Sequence, residues 1–368
     1  MDTVLISLVG GQVFPVYLGI HQFKASINIL IASSQTLEDA QTIIQIAQKE
    51  FNSEYKTIIF DPVDHNKIVN AIKKLEKEIL DARQILINIT GGTKLWSIDF
   101  FSIFSHHPNT EIYFIDQNNI FRNLTRNSDF PYQGECDFEL ICQLNKANVQ
   151  RYTNLKEYTD NDRIAVKTIT EMRDFNCKDF NALTLLNVQK NAELPSGSSL
   201  RYDYEEHAFF LTLFNEGIKK TRKLQSKHIH SLLFNAGWFE FKIADLLSHW
   251  KYSKEIFLNV EYIYRNKSLK NEVDIIVNTG NRLLFVECKT SIKDKTDIDK
   301  FKSVVQNFGG LGCKALFVSN VKLKEEVIEK CNNNNIISFD IESEHLGLSP
   351  EKALFMLLEK QLFEINAK

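Results

Sequence analysis

The sequence predicts a two-part chain: an N-terminal α/β domain with a doubly wound parallel sheet, followed by a C-terminal α+β domain. Three observations predict it. Short β-rich runs alternate with helix-length stretches through residues 3–116. A Pro, Gly and Ser-rich segment, 194–199, interrupts the middle. Beyond it, three strand-like runs follow one another closely between helical patterns.

The N-terminal strands are expected at 3–9, 26–32, 56–60, 85–90 and 111–116. Helical patterns at 36–51, 66–80 and 93–104 separate them. Strands joined by helices of this length form βαβ units, and those build parallel sheets. Residues 137–145 read as a further strand and 153–190 as mixed helix. The C-terminal part shows helical patterns at 203–220, 227–235 and 238–250. Strands follow at 255–264, 272–278 and 282–289, then a helix at 296–307, a strand at 313–319, a helix at 322–331, a strand at 335–340 and a last helix at 350–364. Domain limits are expected at 1–150, 151–200 (a helical connector) and 201–368. No internal repeat appears.

With 43% hydrophobic and 25% charged residues in 368, the chain has the balance of a soluble globular protein. It lacks an apolar run of the ~20 residues a spanning helix needs. Its first residues, MDTVLISLVGG, are not those of a signal peptide, so the cytoplasm is the expected location. The six cysteines, at 136, 142, 177, 288, 313 and 331, form no CxxC pair, which speaks against a zinc site or a disulfide framework. Net charge is −3, but basic residues gather at 219–227, 264–270 and 289–302, a hint of a polyanionic partner.

Gly280-Asn281 lies between the runs 272–279 and 282–289, a signal for a two-residue hairpin turn. That turn places Asp274 opposite Glu287, with Cβ atoms ~4.5–5.5 Å apart. Glu287 and Lys289 share a face because strand side chains alternate. Two carboxylates so close repel each other unless a cation lies between them. Hard oxygen ligands suit Mg²⁺ or Mn²⁺, with the backbone carbonyl of Cys288 as a third ligand and its thiol pointing into the core. Lys289 adds positive charge at the same place, to orient water or to stabilise a phosphate. The spacing ExK is weak evidence by itself. Of two other copies, Glu54–Lys56 lacks an opposed acid on a hairpin strand, and Glu240–Lys242 lies on a helical pattern, where i and i+2 do not share a face.

This arrangement resembles the PD-(D/E)xK nuclease superfamily, with its restriction-endonuclease-like fold. Asn271-Glu272-Val273-Asp274 and Val286-Glu287-Cys288-Lys289 carry the likeness, which spans roughly residues 203–340. Val273 stands where the family name has Pro. The resemblance implies catalytic roles for Asp274, Glu287 and Lys289. It extends to Glu240 on the preceding helix and Gln306 on the following one, with Asp274, Glu287 and the Cys288 carbonyl holding the metal.

A second feature is ILINITGGTKLWS, 85–97: a strand ending in Thr90-Gly91-Gly92-Thr93-Lys94, then a helix. Ligands bind at the carboxyl ends of strands in such sheets. Glycines admit a phosphate to backbone N–H groups at a helix N-terminus. The spacing is neither Walker A nor GxGxxG. A βα turn that needs glycine, with Thr93 as N-cap, is the plain alternative. Gly10, Gly11 and Gln12 after the first strand and Ser33 and Ser34 after the second would share the edge.

TGGTK in this setting resembles the CRISPR-associated Rossmann fold (CARF) domain. A CARF domain followed by a PD-(D/E)xK domain is similar to the ancillary nucleases of type III CRISPR systems. That resemblance implies a homodimer that binds a cyclic oligoadenylate, namely cyclic tetra-adenylate, and is thereby switched on as a metal-dependent endonuclease on DNA or RNA, with a preference for single strands. Alternatives are a nucleic-acid-binding regulator that does not cut, and a CARF domain that degrades its own ligand.

Overall fold

The computed structural model describes residues 2–185, 191–234, 236–263, 270–291, 296–310 and 312–363. The chain separates into two compact units. One comprises Met1–Asn148, Gly280–Leu283 and Gln306–Cys313; the other comprises Val149–Thr279, Leu284–Val305 and Lys314–Lys368.

The first unit is built on strands β1 (Thr3–Leu8), β2 (Ile27–Ala32), β3 (Glu54–Ile59), β4 (Gln84–Asn88), β5 (Thr110–Ile115), β6 (Ile120–Asn123) and β7 (Ser128–Pro131). They form one sheet in the order β3-β2-β1-β4-β5-β6-β7. The first five are parallel, and β6 and β7 continue it antiparallel. Helices α1 (Phe14–Phe23), α2 (Leu37–Glu50), α3 (His65–Ile79) and α4 (Lys94–Phe104) make the crossovers, and α5 (Phe138–Leu144) follows. β1 and β4 are buried almost throughout, as expected of parallel strands covered on both faces. The helix α3 shows why the pattern folds this way. Asp64 caps it by accepting from Lys67 N, and Ile68, Ile72, Leu75 and Ile79 put one apolar stripe against the core.

The second unit contains β8 (Val149–Asn154), α6 (Asp160–Phe175) and α7 (Cys177–Leu185), then β9 (Asn191–Glu193), β10 (Ser199–Asp203), β11 (Ala208–Asn215) and β12 (Ile218–Leu224). It continues with α8 (Ile229–Leu233), α9 (Gly237–Ser248), β13 (Glu255–Ile263), β14 (Lys270–Asn278), β15 (Leu283–Lys289) and α10 (Thr296–Phe308). β16 (Lys314–Ser319), α11 (Glu325–Asn333), β17 (Ile336–Asp340) and α12 (Pro350–Phe363) complete it. A four-stranded sheet runs β12-β11-β10-β9 and a six-stranded one β17-β16-β15-β14-β13-β8. A shared apolar core joins α6, α9 and α12 to the inward side chains of both sheets.

Two expectations fail. Residues 137–145 form a helix, not a strand. Asp137 accepts from Leu140 N at 2.7 Å, and this N-cap starts a turn that buries Phe138, Ile141 and Cys142. The stretch 203–220 forms strands, not a helix. Phe209, Leu211 and Leu213 are buried while Phe210, Thr212 and Phe214 are half-exposed, the period-2 pattern of a strand. Glu216 and Gly217 both have positive φ, 49° and 79°, as a two-residue type I′ hairpin turn requires. Residues 194–198 are likewise a turn between β9 and β10, closed by Leu194 N donating to Ser198 O. Parts of the basic runs, 264–269 and 292–295, lie outside the described residues. No described helix is long and apolar enough to cross a membrane.

Candidate functional site

β14 and β15 are neighbours in the six-stranded sheet. Thr279–Arg282 connects them, with Gly280 at φ 93°, so the turn is wider by a residue on each side than Gly280-Asn281 alone. Along β15, Val286 is fully buried and Cys288 is 7% exposed. The Cys288 thiol lies in the apolar core with Ile275, Val277 and Val286, and burial pushes its pKa well above the usual thiol range. Glu287 and Lys289 alternate to the other face, their side chains 14% and 27% exposed, with Nζ donating to Oε1 at 2.5 Å. Across the strands, Cys288 N donates to Asp274 Oδ2 at 2.7 Å. This ties the Asp274 carboxylate to the backbone between Glu287 and Lys289, and Oδ1 is not spent on that bond.

The cluster is electrostatically tense. Burial, then the charge of Glu287, pushes Asp274 up to about 8, against the Cys288 N–H and Lys289. Glu240, in the first turn of α9, is raised well above the carboxylate range by burial and then by the charges of Asp274, Glu272 and Glu287. Burial also raises Glu287, and Lys289 opposes it. For Lys289, burial works against the charged form, yet its bond to Glu287 and the charge there hold its pKa up. Carboxylates crowded this way are a poor arrangement unless more positive charge reaches them.

The structure thus brings Asp274, Glu287, Lys289 and Glu240 into one electrostatic cluster. Gln306 is exposed near the end of α10. Two acids the motif did not point to act on the site: Glu272 on β14, and Asp297 in the first turn of α10, which acts on both Glu287 and Lys289. Glu272 was findable, since it is two residues before Asp274 and strand faces repeat every two. Asp297 lies on a different element from Lys289, and spacing alone carries no sign of it.

Among the described residues, no group of three or more His, Cys, Asp or Glu side chains is placed to hold a metal. The donors that fit a hard cation are instead Asp274, Glu287 and the Cys288 carbonyl. Mg²⁺ commonly takes one or two carboxylates and fills its remaining positions from water and phosphate. Two carboxylates and a carbonyl match that ligand number and type.

In the first unit, β1 has β2 on one side and β4 on the other. Strand order reverses there, and the crevice outside the carboxyl ends of β1 and β4 is the topological switch point of the sheet. The two loops at that point nearly touch. A Cβ on Gly91 would lie 2.2 Å from Leu8 O, and one on Gly10 would lie 2.7 Å from Gly92 N. Gly92 has φ 74°, and a Cβ there would meet the Trp96 ring at 2.7 Å. The loops close because both carry glycine. Lys94 begins α4 and is exposed, and Thr93 caps it by accepting from Trp96 N at 3.2 Å.

Thr90 is committed to the fold. Its hydroxyl donates to Asn88 Oδ1 at 2.6 Å and accepts from Ile115 N at 2.7 Å. Ser33 is buried and pairs with Thr36, whose hydroxyl donates to Val9 O. Gly11 and Ser34 are exposed and Gln12 is half-exposed.

Comparison with known proteins agrees with both halves. Residues 4–158 match the family model described as the Card1 CARF domain. Residues 228–346 match the model described as the Card1-like endonuclease domain. No curated protein matches the chain. Among solved structures, Can2 from Sulfobacillus thermosulfidooxidans, in complex with cyclic tetra-adenylate, superposes with a TM-score of 0.69 at 18% identity, covering 99% of this chain and 100% of that one. Protein VC1899 from Vibrio cholerae gives 0.72 at 16% identity, covering 98% and 97%. A type III CRISPR defence DNA nuclease activated by cyclic oligoadenylate gives 0.59 at 13%, covering 95% of this chain and 51% of that one. Residues 159–227 lie outside both family models. The chain joins a Card1-type CARF domain to a Card1-like endonuclease domain.

Proposed function

We propose that the protein is a metal-dependent endonuclease, switched on by cyclic tetra-adenylate, that hydrolyses phosphodiester bonds of DNA or RNA in antiviral defence. The observation that carries this reading is the cluster of Asp274, Glu287 and Lys289 on the β14–β15 hairpin, in a chain that also has a glycine-lined crevice at a CARF switch point. The effector assignment draws on Can2, whose structure holds cyclic tetra-adenylate.

Asp274, Glu287 and the Cys288 carbonyl would hold Mg²⁺ or Mn²⁺. When bound, the ion supplies an activated water and neutralises charge developing on the phosphate. The chain's own residues do the rest. The Cys288 N–H fixes the Asp274 carboxylate. Lys289, charged and held by Glu287, presents an ammonium to the phosphodiester or to the attacking water. Glu240, whose carboxyl is shifted towards its neutral form by burial and by the neighbouring carboxylates, is the further acid of the cluster. In the other unit, Gly10, Gly11, Gly91 and Gly92 let phosphates approach backbone N–H groups, and Lys94 adds charge. Gln12 and Ser34 are the exposed polar groups left to contact the ligand. Thr93 serves as the cap of α4, with Thr90 and Ser33 as supports of the loops.

A homodimer fits the same reading. Ile98 and Phe101, three residues apart on one face of α4, are 64% and 38% exposed. Apolar side chains so placed suit burial against a second copy. The test is incubation with cyclic tetra-adenylate, Mg²⁺ or Mn²⁺, and a mixed DNA and RNA pool. Cutting is expected only when effector and cation are both present, and not at all in Glu287→Ala.

A further inference from the structure

We infer that the outer face of the four-stranded sheet β9–β12 is a binding surface for single-stranded nucleic acid. The inference rests on the nuclease reading for its biological sense, because the strand held there would be the substrate.

Strand register builds this face. Phe210 pairs with Lys223, Thr212 with Thr221 and Phe214 with Lys219. On the other side of β11, Arg201 pairs with Phe210. The partners of each pair project to the same face, so a central row of Phe210, Thr212 and Phe214 is flanked by cations. The opposite face carries Phe209, Leu211 and Leu213 into the core, which fixes this one outward. The Arg201 guanidinium lies 5.3 Å over the Phe210 ring and Lys219 Nζ lies 5.8 Å from the Phe214 centroid. The hydroxyls of Thr212 and Thr221 share a hydrogen bond at 2.9 Å between them.

The strand β12 has four cations, Lys219, Lys220, Arg222 and Lys223, in seven residues and no acid. Lys219 and Lys223 are four residues apart on one face, about 14 Å at strand rise. Charge names the occupant. Rows of cations beside aromatic rings, on a sheet rather than in a pocket, are how sequence-tolerant proteins hold a single strand, with phosphates on the cations and bases on the rings. Glu206, which pairs with Lys223 at 2.5 Å, would exchange that cation with a phosphate. Lysines on an edge strand also serve to prevent strand pairing between molecules, and that simpler role makes a different prediction.

The experiment is fluorescence anisotropy of the full chain with labelled single-stranded DNA and RNA, in EDTA and saturating cyclic tetra-adenylate, across a salt series. EDTA prevents cutting, so binding is read separately from catalysis. The triple variant Arg201→Gln, Lys219→Gln, Lys223→Gln is expected to weaken binding at least tenfold and to flatten the salt dependence by about 2 logarithmic units of slope. Phe210→Leu with Phe214→Leu should weaken binding about tenfold with the slope unchanged. Photo-cross-linking of a bromodeoxyuridine oligonucleotide to the unaltered chain should label residues 201–223, a readout that no misfolded variant can spoil. Wild-type affinity and slope in the triple variant, cross-links confined to other segments, or equal affinity for a duplex would each overturn the surface. A chain that cuts nothing under any effector and cation would sink the nuclease reading and leave this binding result standing.

Discussion

The two candidate sites differ in what makes them. At the β14–β15 hairpin the chemistry is in side chains: carboxylates and an ammonium are driven together, with Asp274 pushed up to about 8 and Lys289 bonded to Glu287. At the CARF switch point the chemistry is in their absence. Gly10, Gly91 and Gly92 let two loops close to distances a Cβ would forbid. The difference teaches how each should fail. Removing atoms should ruin the first site and leave the fold sound. Adding atoms should ruin the second.

The largest expected effect follows from the first statement. Glu287→Ala or Lys289→Ala should reduce cleavage by a factor of about 10² or more, while cyclic tetra-adenylate binding, measured by calorimetry, stays at the wild-type value. Cutting that persisted in both variants would remove these residues from the chemistry. Next comes the opposite kind of change. Gly92→Val together with Lys94→Ala puts a branched side chain where φ is 74° and the Trp96 ring stands at 2.7 Å. Effector-dependent activation should be lost. Equal activation at the same effector concentration would make the loop structural only.

A smaller effect tests the assembly. Ile98→Asp with Phe101→Asp should shift the mass by light scattering towards a single chain and blunt activation. A dimer of unchanged strength would place the interface elsewhere.

The smallest effect is on stability. A carboxyl whose folded pKa lies above its unfolded value binds its proton more tightly when folded, so it destabilises the fold progressively as pH rises from about 4 to about 8. Without divalent cation, Asp274→Asn should therefore melt a few degrees higher than wild type at pH 8 and no higher at pH 4. The gap should narrow when Mn²⁺ is added. A variant that melted lower at pH 8 would show that the Asp274 charge is not under strain.

The comparison also shows what a sequence exposes. Strands β1 to β5 were legible because they are short apolar runs separated by helix-length stretches. The hairpin acids were legible because strand alternation fixes Glu287 and Lys289 on one face and Asp274 on its neighbour. The misreadings have local causes. In 137–145 the apolar count outweighed Asp137, whose capping bond decides for helix. In 203–220 Tyr204, the acids and the lysines hid a period of two, and the turn signal was Gly217 paired with Glu216 rather than the usual Asn or Asp. Asp297 escaped because it lies outside the motif, and Glu272, though within it, because the motif gives a role only to Asp274 there, while charge acts on whatever lies near. The engagement of Thr90 with Asn88 and Ile115 needed a tertiary contact between strands, which no spacing encodes.

The central claim is that one signal controls the hairpin site, and nucleic-acid cleavage measured across four conditions tests it most directly. Wild-type protein is incubated with and without cyclic tetra-adenylate, each with and without Mn²⁺, on single-stranded DNA and RNA. The account predicts cutting in the one condition that holds both, and its loss in Glu287→Ala. Cutting without effector, or cutting by Glu287→Ala, would contradict it.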